Sequence, residues 1–321
     1  MFFKGISLIP ENTNMDVIGK RKIAFVLSTL LIIFSIFSIA TKGLNFGIDF
    51  TGGTVIEIQT TKVVELSGIR EGLNSLDLGN ISLQTFGEPT DLLIRMPEQE
   101  GGPEAQAAAV EKVETFLHEH ITEGYELRRT EFVGPQVGDE LKKAGLLAII
   151  FSLGGILIYI WVRFEWQFGV AAIIALAHDA IATIGLFAFL QMDFDLSTVA
   201  ALLMIAGYSI NDTVVVFDRI RESLRKYKKT ALPEVFNTAI NSTLSRTVMT
   251  SLTTLIALIA LFAFGGEVIR GFVDALIFGV VIGTYSSVFV ASPVLMFFNV
   301  RQGADQNDEP EVVIEENGEK A

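Results

Sequence analysis

The sequence predicts a polytopic α-helical membrane protein with six transmembrane helices and one extracytoplasmic α+β domain. Half of its residues are hydrophobic, and phenylalanine alone occurs 25 times. The apolar residues are concentrated in uncharged or nearly uncharged runs, which are about as long as the ~20 residues that a helix needs to cross a bilayer. A polar stretch of about a hundred residues separates the first run from the others, and its patterns are those of a folded domain outside the membrane.

Overall charge and cysteine content exclude several other classes of protein. The net charge is −13, and many of the acidic residues lie at positions 301–321, which predicts an acidic, disordered cytoplasmic tail. We expect no nucleic-acid partner, because nucleic-acid binding needs a basic surface. The chain contains no cysteine, so it can form neither disulfides nor thiolate metal sites.

The first predicted span follows a polar N-terminal segment at 1–22 that ends in Lys20, Arg21 and Lys22. The run that follows predicts a transmembrane helix at 23–41. It is longer than the apolar region of a signal peptide and lacks a small-residue cleavage site. We therefore interpret it as an uncleaved span whose basic flank lies in the cytoplasm.

The polar stretch at 42–143 alternates between the periods of strands and helices. Strands are predicted at 54–59, 81–86, 91–96 and 125–133. Helices are predicted at 63–76 and from Pro103 onward. The order βαββαβ is typical of a ferredoxin-like domain, which we expect on the periplasmic side. His118 and His120 lie two residues apart on a helix and point to different sides, so no metal site is expected.

Gly52 and Gly53 come just after the first span and directly before the first predicted strand. Glycines that bind phosphate precede the N-terminus of a helix instead. We therefore interpret this pair as a turn or a conformational hinge.

Five further spans are predicted within residues 144–300. They lie at 144–162, 168–190, 196–217, 247–264 and 272–300. Lysine and arginine are frequent in the connection between the fourth and fifth spans, whereas the short turns on the opposite side carry only Arg270. This asymmetry predicts that both termini are cytoplasmic.

Asp212 is the main candidate for a functional residue, because it lies inside the fourth span. A carboxylate in hydrocarbon costs about 2.5–3.5 kcal/mol on insertion scales, so such residues usually face a bundle interior or a polar path. Tyr208 and Ser209 precede it by four and three residues and are predicted to lie on its helix face, with Asn211 beside it. We interpret this group as an ion-coupling site. The alternative is that Asp212 only holds helices together.

Two more charged residues are candidates for the same task. Arg246 begins the fifth span at a depth similar to that of Asp212, so the two can pair if their helices are adjacent; a static ion pair is the alternative. Asp179 lies in the third span, for which coupling and structural hydrogen bonding are both open. Its neighbour His178 should project about 100° away, so we do not expect the two to form an acid–base dyad.

The sequence lacks the common motifs of enzymes. It contains no Walker-type glycine loop, no HExxH and no GxSxG. We therefore expect a protein that is not an enzyme and has no cofactor. Energy for any active process would then come from an ion gradient or from a partner.

Three segments resemble the SecF family of protein-export membrane proteins in the bacterial Sec system, a family of the resistance-nodulation-division superfamily. They are FGIDFTGGT at 46–54, VGPQVGDEL at 133–141 and GYSINDTVVVFDRIRE at 207–222. The resemblance implies an inner-membrane subunit that works with SecD and uses the proton motive force to promote late steps of preprotein translocation through SecYEG. It also implies that the coupling residues exchange protons, although sodium stays open as the ion.

The implied partners are therefore SecD, SecYEG, secreted preproteins and membrane lipid. A complete transporter of this superfamily has twelve spans, so a chain with six is expected to need a second subunit. The alternative function is a half-size, proton-driven exporter of small molecules or lipids that assembles with copies of itself. The single small outside domain argues against that alternative.

The predicted orientation can be tested by labelling single cysteines in intact cells. Ser75→Cys and Gln99→Cys should react with a membrane-impermeant reagent from outside, because they lie in the predicted periplasmic domain. Lys228→Cys should react only after lysis, and the cysteine-free chain provides the unlabelled background. Labelling of position 228 in intact cells would overturn the orientation.

Overall fold

The computed structural model describes residues 13–266, 269–298 and 300. The predicted acidic tail at 301–321 and most of the predicted cytoplasmic N-terminal segment, residues 1–12, lie outside the described residues. The helices, in chain order, are α1 (Arg21–Lys42), α2 (Ile48–Thr51), α3 (Leu66–Asn74), α4 (Gly102–His120), α5 (Pro135–Arg163), α6 (Trp166–Leu190), α7 (Leu196–Lys226), α8 (Leu232–Phe264) and α9 (Arg270–Ser286).

Six helices in the described part of the chain are long and apolar enough to cross a membrane, as the sequence predicts. They are α1, α5, α6, α7, α8 and the last helix, in which α9 continues through a π turn (Ser287–Ala291) to Phe297. Three helices extend well beyond the predicted spans, and one of them, α7, continues past residue 217 to Lys226. Helix α5 begins at Pro135, whose fixed φ suits the first position of a helix. Helix α8 begins at Leu232, well before the predicted span at 247–264, and continues through it without a break.

The α+β domain confirms the predicted ferredoxin-like succession. Its strands β2 (Gly53–Thr60), β3 (Ser82–Phe86), β4 (Glu88–Met96) and β5 (Tyr125–Val133) form an antiparallel sheet in the order β3-β4-β2-β5. Helices α3 and α4 cover one face of this sheet. Their apolar residues, among them Leu73, Val113 and Leu117, share a buried core with Ile56 and Ile94 of the strands.

The domain is attached to the helix bundle by a second, small sheet and by polar contacts. Strand β1 (Asn45–Phe46) pairs in parallel with β6 (Asp193–Phe194), which lies between α6 and α7. Arg95 of β4 forms an ion pair with Asp193. In addition, the first backbone N–H of α7, at Leu196, donates to Asp49 Oδ2 over 3.0 Å. The domain is therefore held directly at the start of α7.

The two glycines of the predicted hinge have backbone conformations that favour glycine. Gly52 has φ 71°, and Gly53 has φ 108°. A Cβ on Gly53 would lie 2.4 Å from the carbonyl oxygen of Met96 in the neighbouring strand, so no other residue fits there. These facts explain the pair as a tight turn into β2, and its role as a hinge stays a prediction.

A short segment before α1 is fixed to the N-terminal part of α8. Asn237 accepts from Ile18 N over 2.9 Å and donates to Asp16 Oδ1 over 2.8 Å. The backbone N–H of Gly19 also donates to Asp16 Oδ1, and this bond, with that of Asn237, lowers the pKa of Asp16. Ile18 is fully buried, so α1 enters the bundle from a fixed position.

Small residues allow the closest approaches between the helices. A Cβ on Gly279 of α9 would come within 3 Å of three side-chain atoms of Ile205 on α7, and a Cβ on Gly283 would lie 3.1 Å from Cβ of Ser209. Gly185 of α6 makes a similar contact with Ser35 of α1. Glycine and serine let backbones approach closely in membrane bundles, so these positions determine which helices touch.

We expect Gly279→Ala to lower the thermal unfolding temperature of the protein in mild detergent. Its methyl group overlaps buried Ile205, and overpacking of this kind typically costs about 1–3 kcal/mol. Gly271→Ala on the same helix is the matched control, because a Cβ there meets nothing within 4 Å. An unchanged unfolding temperature for Gly279→Ala would contradict the tight α7–α9 contact.

Candidate functional site

Two carboxylates are buried between α6, α7, α8 and α9. Asp212 on α7 is 7% exposed, and Asp179 on α6 is 1% exposed. Asp212 Oδ1 accepts a hydrogen bond from Thr247 Oγ1 of α8, and Asp212 Oδ2 accepts one from Ser287 Oγ, each over 2.6 Å. Each carboxylate oxygen of Asp212 therefore has one hydroxyl donor.

Asp179 has three side-chain partners. Its Oδ2 accepts from Ser209 Oγ of α7 over 2.5 Å and from Ser286 Oγ over 2.7 Å. Its Oδ1 lies 3.0 Å from Nδ1 of His178. Polar groups in an apolar interior are tolerated when they are hydrogen-bonded, and these contacts meet that requirement without an ion pair to any lysine or arginine in the described part of the chain.

Four consecutive residues where α9 passes into the π turn each contact a different helix. Thr284 bonds Ser251 of α8, Tyr285 bonds Ser28 of α1, Ser286 bonds Asp179 of α6, and Ser287 bonds Asp212 of α7. Successive helical residues point about 100° apart, so four of them face every direction around the axis. The segment 284–287 is therefore the polar centre of the bundle.

The helix changes its form at this segment. Residues Ser287–Ala291 form a π turn, and Ser292 Oγ donates to the carbonyl oxygen of Ser287 over 2.9 Å. Pro293 has no N–H to donate, and in a regular α-helix its ring would clash with the carbonyl of Phe289. The wider turn before Pro293 avoids that clash, and such turns are frequent at functional sites.

Arg246 does not pair with Asp212 as the sequence suggested. Among the described residues, no ion pair within 4 Å joins them, and the Arg246 side chain is exposed beside Asp218 and Glu222. The helices are adjacent, but the next residue, Thr247, faces Asp212 instead. Neighbouring helical residues point about 100° apart, so only one of the two can face the carboxylate.

The residues predicted to support Asp212 contact other partners. Ser209 donates to Asp179, and Tyr208 donates to Ser251 over 3.1 Å. Asn211 is exposed on the bundle surface. Side chains three and four residues apart share only a broad helix face, and here that face meets two neighbouring helices, so each hydroxyl contacts a different one.

His178 and Asp179 contact each other, contrary to the argument that their directions on the helix keep them from forming an acid–base dyad. Their side chains lean toward each other along α6, and Nδ1 and Oδ1 come within 3.0 Å. The 100° between their Cβ directions is bridged by the length of the imidazole. Nε2 of His178 is buried and has no hydrogen-bond partner among the described residues.

Sequence reasoning missed the main donors of the site. Thr247, Ser286 and Ser287 were not singled out, although Thr284 to Ser287 forms a run of four hydroxyl residues inside an apolar span. That run is the feature of the sequence from which these donors could have been predicted. The described residues contain no group of three or more histidine, aspartate or glutamate side chains that could hold a metal ion. The site is thus a pair of carboxyl groups surrounded by hydroxyls, chemistry suited to binding and releasing a proton.

Comparison with known protein families identifies the family of this chain. A family model described as "Protein export membrane protein SecD/SecF, C-terminal" matches residues 112–301, more than half of the chain. This chain belongs to the SecD/SecF family. A second model, "SecD/SecF GG Motif", matches residues 37–62, which include Gly52 and Gly53. With its six apolar helices, the family member is a multi-pass inner-membrane protein.

Curated relatives match almost the whole chain. "Protein translocase subunit SecF" of Rickettsia bellii is 44% identical over 293 residues, which cover 91% of this chain and 96% of the relative. The protein of the same name from Cereibacter sphaeroides is 45% identical over 309 residues, covering 94% and 95%. The resemblance noted from three short segments is thereby confirmed over nearly the full length.

Solved structures match the fold as well. The crystal structure of SecDF from Thermus thermophilus, described as a translocon-associated membrane protein, is 34% identical with a TM-score of 0.81. A SecDF structure in a super-membrane-facing form is also 34% identical, with a TM-score of 0.66. This chain spans 39% and 40% of those two chains.

The Thr247 hydroxyl should stabilise the bundle through Asp212. Thr247→Val keeps the shape but leaves one carboxyl oxygen without its donor, which typically costs about 1–3 kcal/mol. We expect a lower unfolding temperature in detergent. Thr253→Val is the matched control, because that exposed hydroxyl bonds only backbone carbonyls of its own helix. Equal unfolding temperatures for the two variants would contradict the role of Thr247.

Proposed function

We propose that this chain is a SecF-type subunit of the bacterial Sec protein-export machinery, which works with a SecD-type subunit and uses the proton motive force to promote late translocation through SecYEG. Relatives that match over about 95% of their own length are named translocase subunits. SecDF of Thermus thermophilus combines both names in a chain more than twice as long. The alternative of a self-assembling exporter of small molecules or lipids has no such support.

The observation that carries the coupling role is the carboxyl group of Asp212, buried between three helices. As a carboxylate it accepts hydrogen bonds from α8 and α9. A proton on Oδ2 makes that oxygen a donor, so the Ser287 hydroxyl, which donated to it, must direct its hydrogen elsewhere. Moving one charge through 100 mV is worth about 2.3 kcal/mol, which is comparable to the strength of a hydrogen bond to a charged group. Proton exchange at Asp212 can therefore alter how α7, α8 and α9 pack.

Helix α7 connects this site to the outside domain. Asp212 lies sixteen residues after Leu196, or about 24 Å along the helix axis. Leu196 is bonded to Asp49, and Gly138 of α5 packs against the backbone of Asp49. A shift of α7 would thus be transmitted directly to the domain. A cavity of about 660 Å³ between the sheet and the outer ends of the helices leaves room for such movement.

A second subunit is proposed at the surface of α7 and α8. Asn211 is exposed there and makes no hydrogen bond to another described residue, and Arg246 is exposed nearby on α8. Polar side chains inside the membrane are costly when they face lipid. A partner of the same family covering this surface would supply hydrogen bonds to Asn211 and a counter-charge to Arg246. That arrangement would keep Arg246 close enough to influence Asp212 during the cycle.

The test is the release of a secreted protein from membrane vesicles with and without a proton gradient. Asp212→Asn nearly preserves shape but cannot exchange a proton, so the protein should assemble with its partner and lose the gradient-dependent acceleration. Arg246→Met should lose it too, and Asp212→Glu should retain part of it. Asp218→Asn removes the same charge from the same helix at an exposed ion pair with Arg163 and should export normally.

Full gradient-dependent release by Asp212→Asn, at normal abundance, would refute the coupling role and leave Asp212 as a structural group. A sodium gradient applied in place of the proton gradient identifies the ion. Acceleration by sodium alone would replace the proton in this proposal.

A further inference from the structure

We infer that Asp179, paired with His178, is a second proton-binding site that acts together with Asp212, and that the adjacent hydroxyls of Ser286 and Ser287 couple the two sites. This inference rests on the proposed function, because it adds a second exchange site to the same machine. It assigns a role to Asp179, His178 and Ser286, whose contacts the coupling role of Asp212 does not use, and it gives Ser287 a second task besides its bond to Asp212.

The first argument is the surroundings of Asp179. It is more deeply buried than Asp212 and has three side-chain partners where Asp212 has two. The contact between Nδ1 of His178 and Oδ1 requires a proton between two groups that can each hold it. Nε2 of His178 is buried and unpartnered among the described residues. The pair thus has places for a proton at Nε2, between Nδ1 and Oδ1, and at Oδ2.

The second argument concerns the single hydrogen of each serine hydroxyl. Ser286 Oγ lies 2.7 Å from Asp179 Oδ2 and 3.1 Å from the carbonyl oxygen of Gly283. Ser287 Oγ lies 2.6 Å from Asp212 Oδ2 and 3.0 Å from the carbonyl oxygen of Thr284. A hydroxyl has one hydrogen to donate, so each serine must choose between a carboxyl group and a backbone carbonyl.

The charge of the carboxyl group decides that choice. An ionised carboxylate forms the stronger, charge-assisted bond and takes the serine hydrogen. When a proton binds to Oδ2, the acid becomes a donor to the serine oxygen, and the serine hydrogen turns to the carbonyl three residues earlier. By contrast, the hydroxyls of Ser209 and Thr247 donate only to the carboxylates among the described residues and have no backbone carbonyl as a second acceptor. Ser286 and Ser287 are therefore the hydroxyls that respond.

The third argument is the position of these two serines in α9. They lie side by side where the α-helix gives way to the π turn that begins at Ser287. Bonds from serine to a preceding carbonyl bend helices, and the two carbonyls concerned, of Gly283 and Thr284, are also adjacent. A proton on either carboxyl group thus acts on the same turn of backbone. For this reason binding of a proton at one site must change the affinity of the other.

The other groups around Asp179 do not provide a positive charge that would explain its buried carboxyl group as part of an ion pair. His178 on α6, Asp212 on α7 and Tyr285 on α9 are the titratable groups connected to it. Helix α1 contributes the Ser28 hydroxyl, which bonds Tyr285. Among the described residues, no lysine or arginine forms an ion pair with Asp179.

The test uses infrared difference spectroscopy on the purified full-length protein during pH titration, where protonated carboxyl groups show their carbonyl band. We expect two titrating bands, of which Asp179→Asn removes one and Asp212→Asn the other. Each substitution should also move the midpoint of the remaining band by about one pH unit or more, as strong coupling requires. A single titrating band that Asp179→Asn leaves unchanged would overturn the second site.

The serine link is tested by comparing Ser286→Ala with Ser286→Thr. The alanine variant should make the two midpoints independent of each other, and the threonine variant, which keeps a hydroxyl, should restore their coupling. Ser38→Ala is the matched control, because this buried serine on α1 bonds only a backbone carbonyl. If coupling persists unchanged in Ser286→Ala, the hydroxyl link is wrong.

Vesicle export distinguishes failure of this inference from failure of the proposed function. Asp179→Asn should reduce gradient-dependent release, whereas Ser38→Ala should not. Normal release by Asp179→Asn together with loss of release by Asp212→Asn would reject the second site and keep the proposed function. Normal release by both variants would reject the proposed function, while the infrared result would still decide whether the two carboxyl groups are coupled.

Discussion

The bundle depends on one constraint, which is that two buried carboxyl groups must be hydrogen-bonded where water is excluded. An unpaired polar group in an apolar interior costs several kcal/mol. Asp179 and Asp212 meet this requirement with hydroxyls from α7, α8 and α9. Because these donors come from three helices, the packing of the bundle is tied to the state of the two carboxyl groups.

The geometry of α9 makes this arrangement possible. Gly279 and Gly283 let α9 lie directly against α7, which brings Ser286 and Ser287 within reach of both carboxyl groups. Pro293, six residues after Ser287, prevents a regular α-helix, and the chain forms a π turn before it. The regular part of α9 therefore ends where its hydroxyls contact the two carboxyl groups. Small displacements of the backbone there can be absorbed by the π turn.

The connection between the membrane and the outside domain is equally direct. Asp49 belongs to the segment that carries Gly52 and Gly53, and it accepts the first hydrogen bond of α7. Asp212 is on that same helix. The bond also places a carboxylate at a helix N-terminus, where it is favoured electrostatically. Helix α7 therefore connects the buried site to the domain, because it carries Asp212 and is bonded to Asp49 at its first residue.

The six spans, the order of the domain's strands and helices, and Asp212 as a buried carboxyl group could all be predicted from the sequence. Hydrophobic length and periodicity are local properties of the chain, and a carboxylate inside an apolar run is visible without a fold. The family resemblance could be seen in the sequence for the same reason, because three short segments carry it and each is a local property of the chain.

Which polar groups meet depends on the tertiary structure. In the structure, Thr247 and not Arg246 is the partner of Asp212, and Ser209 donates to Asp179 instead of supporting Asp212. The structure also brings together His178 and Asp179 and reveals the segment 284–287. These contacts depend on the rotation of each helix about its axis and on the π turn in the last one. A difference of one residue turns a side chain by about 100°, and the positions of neighbouring helices, which set that rotation, are not encoded in any local pattern.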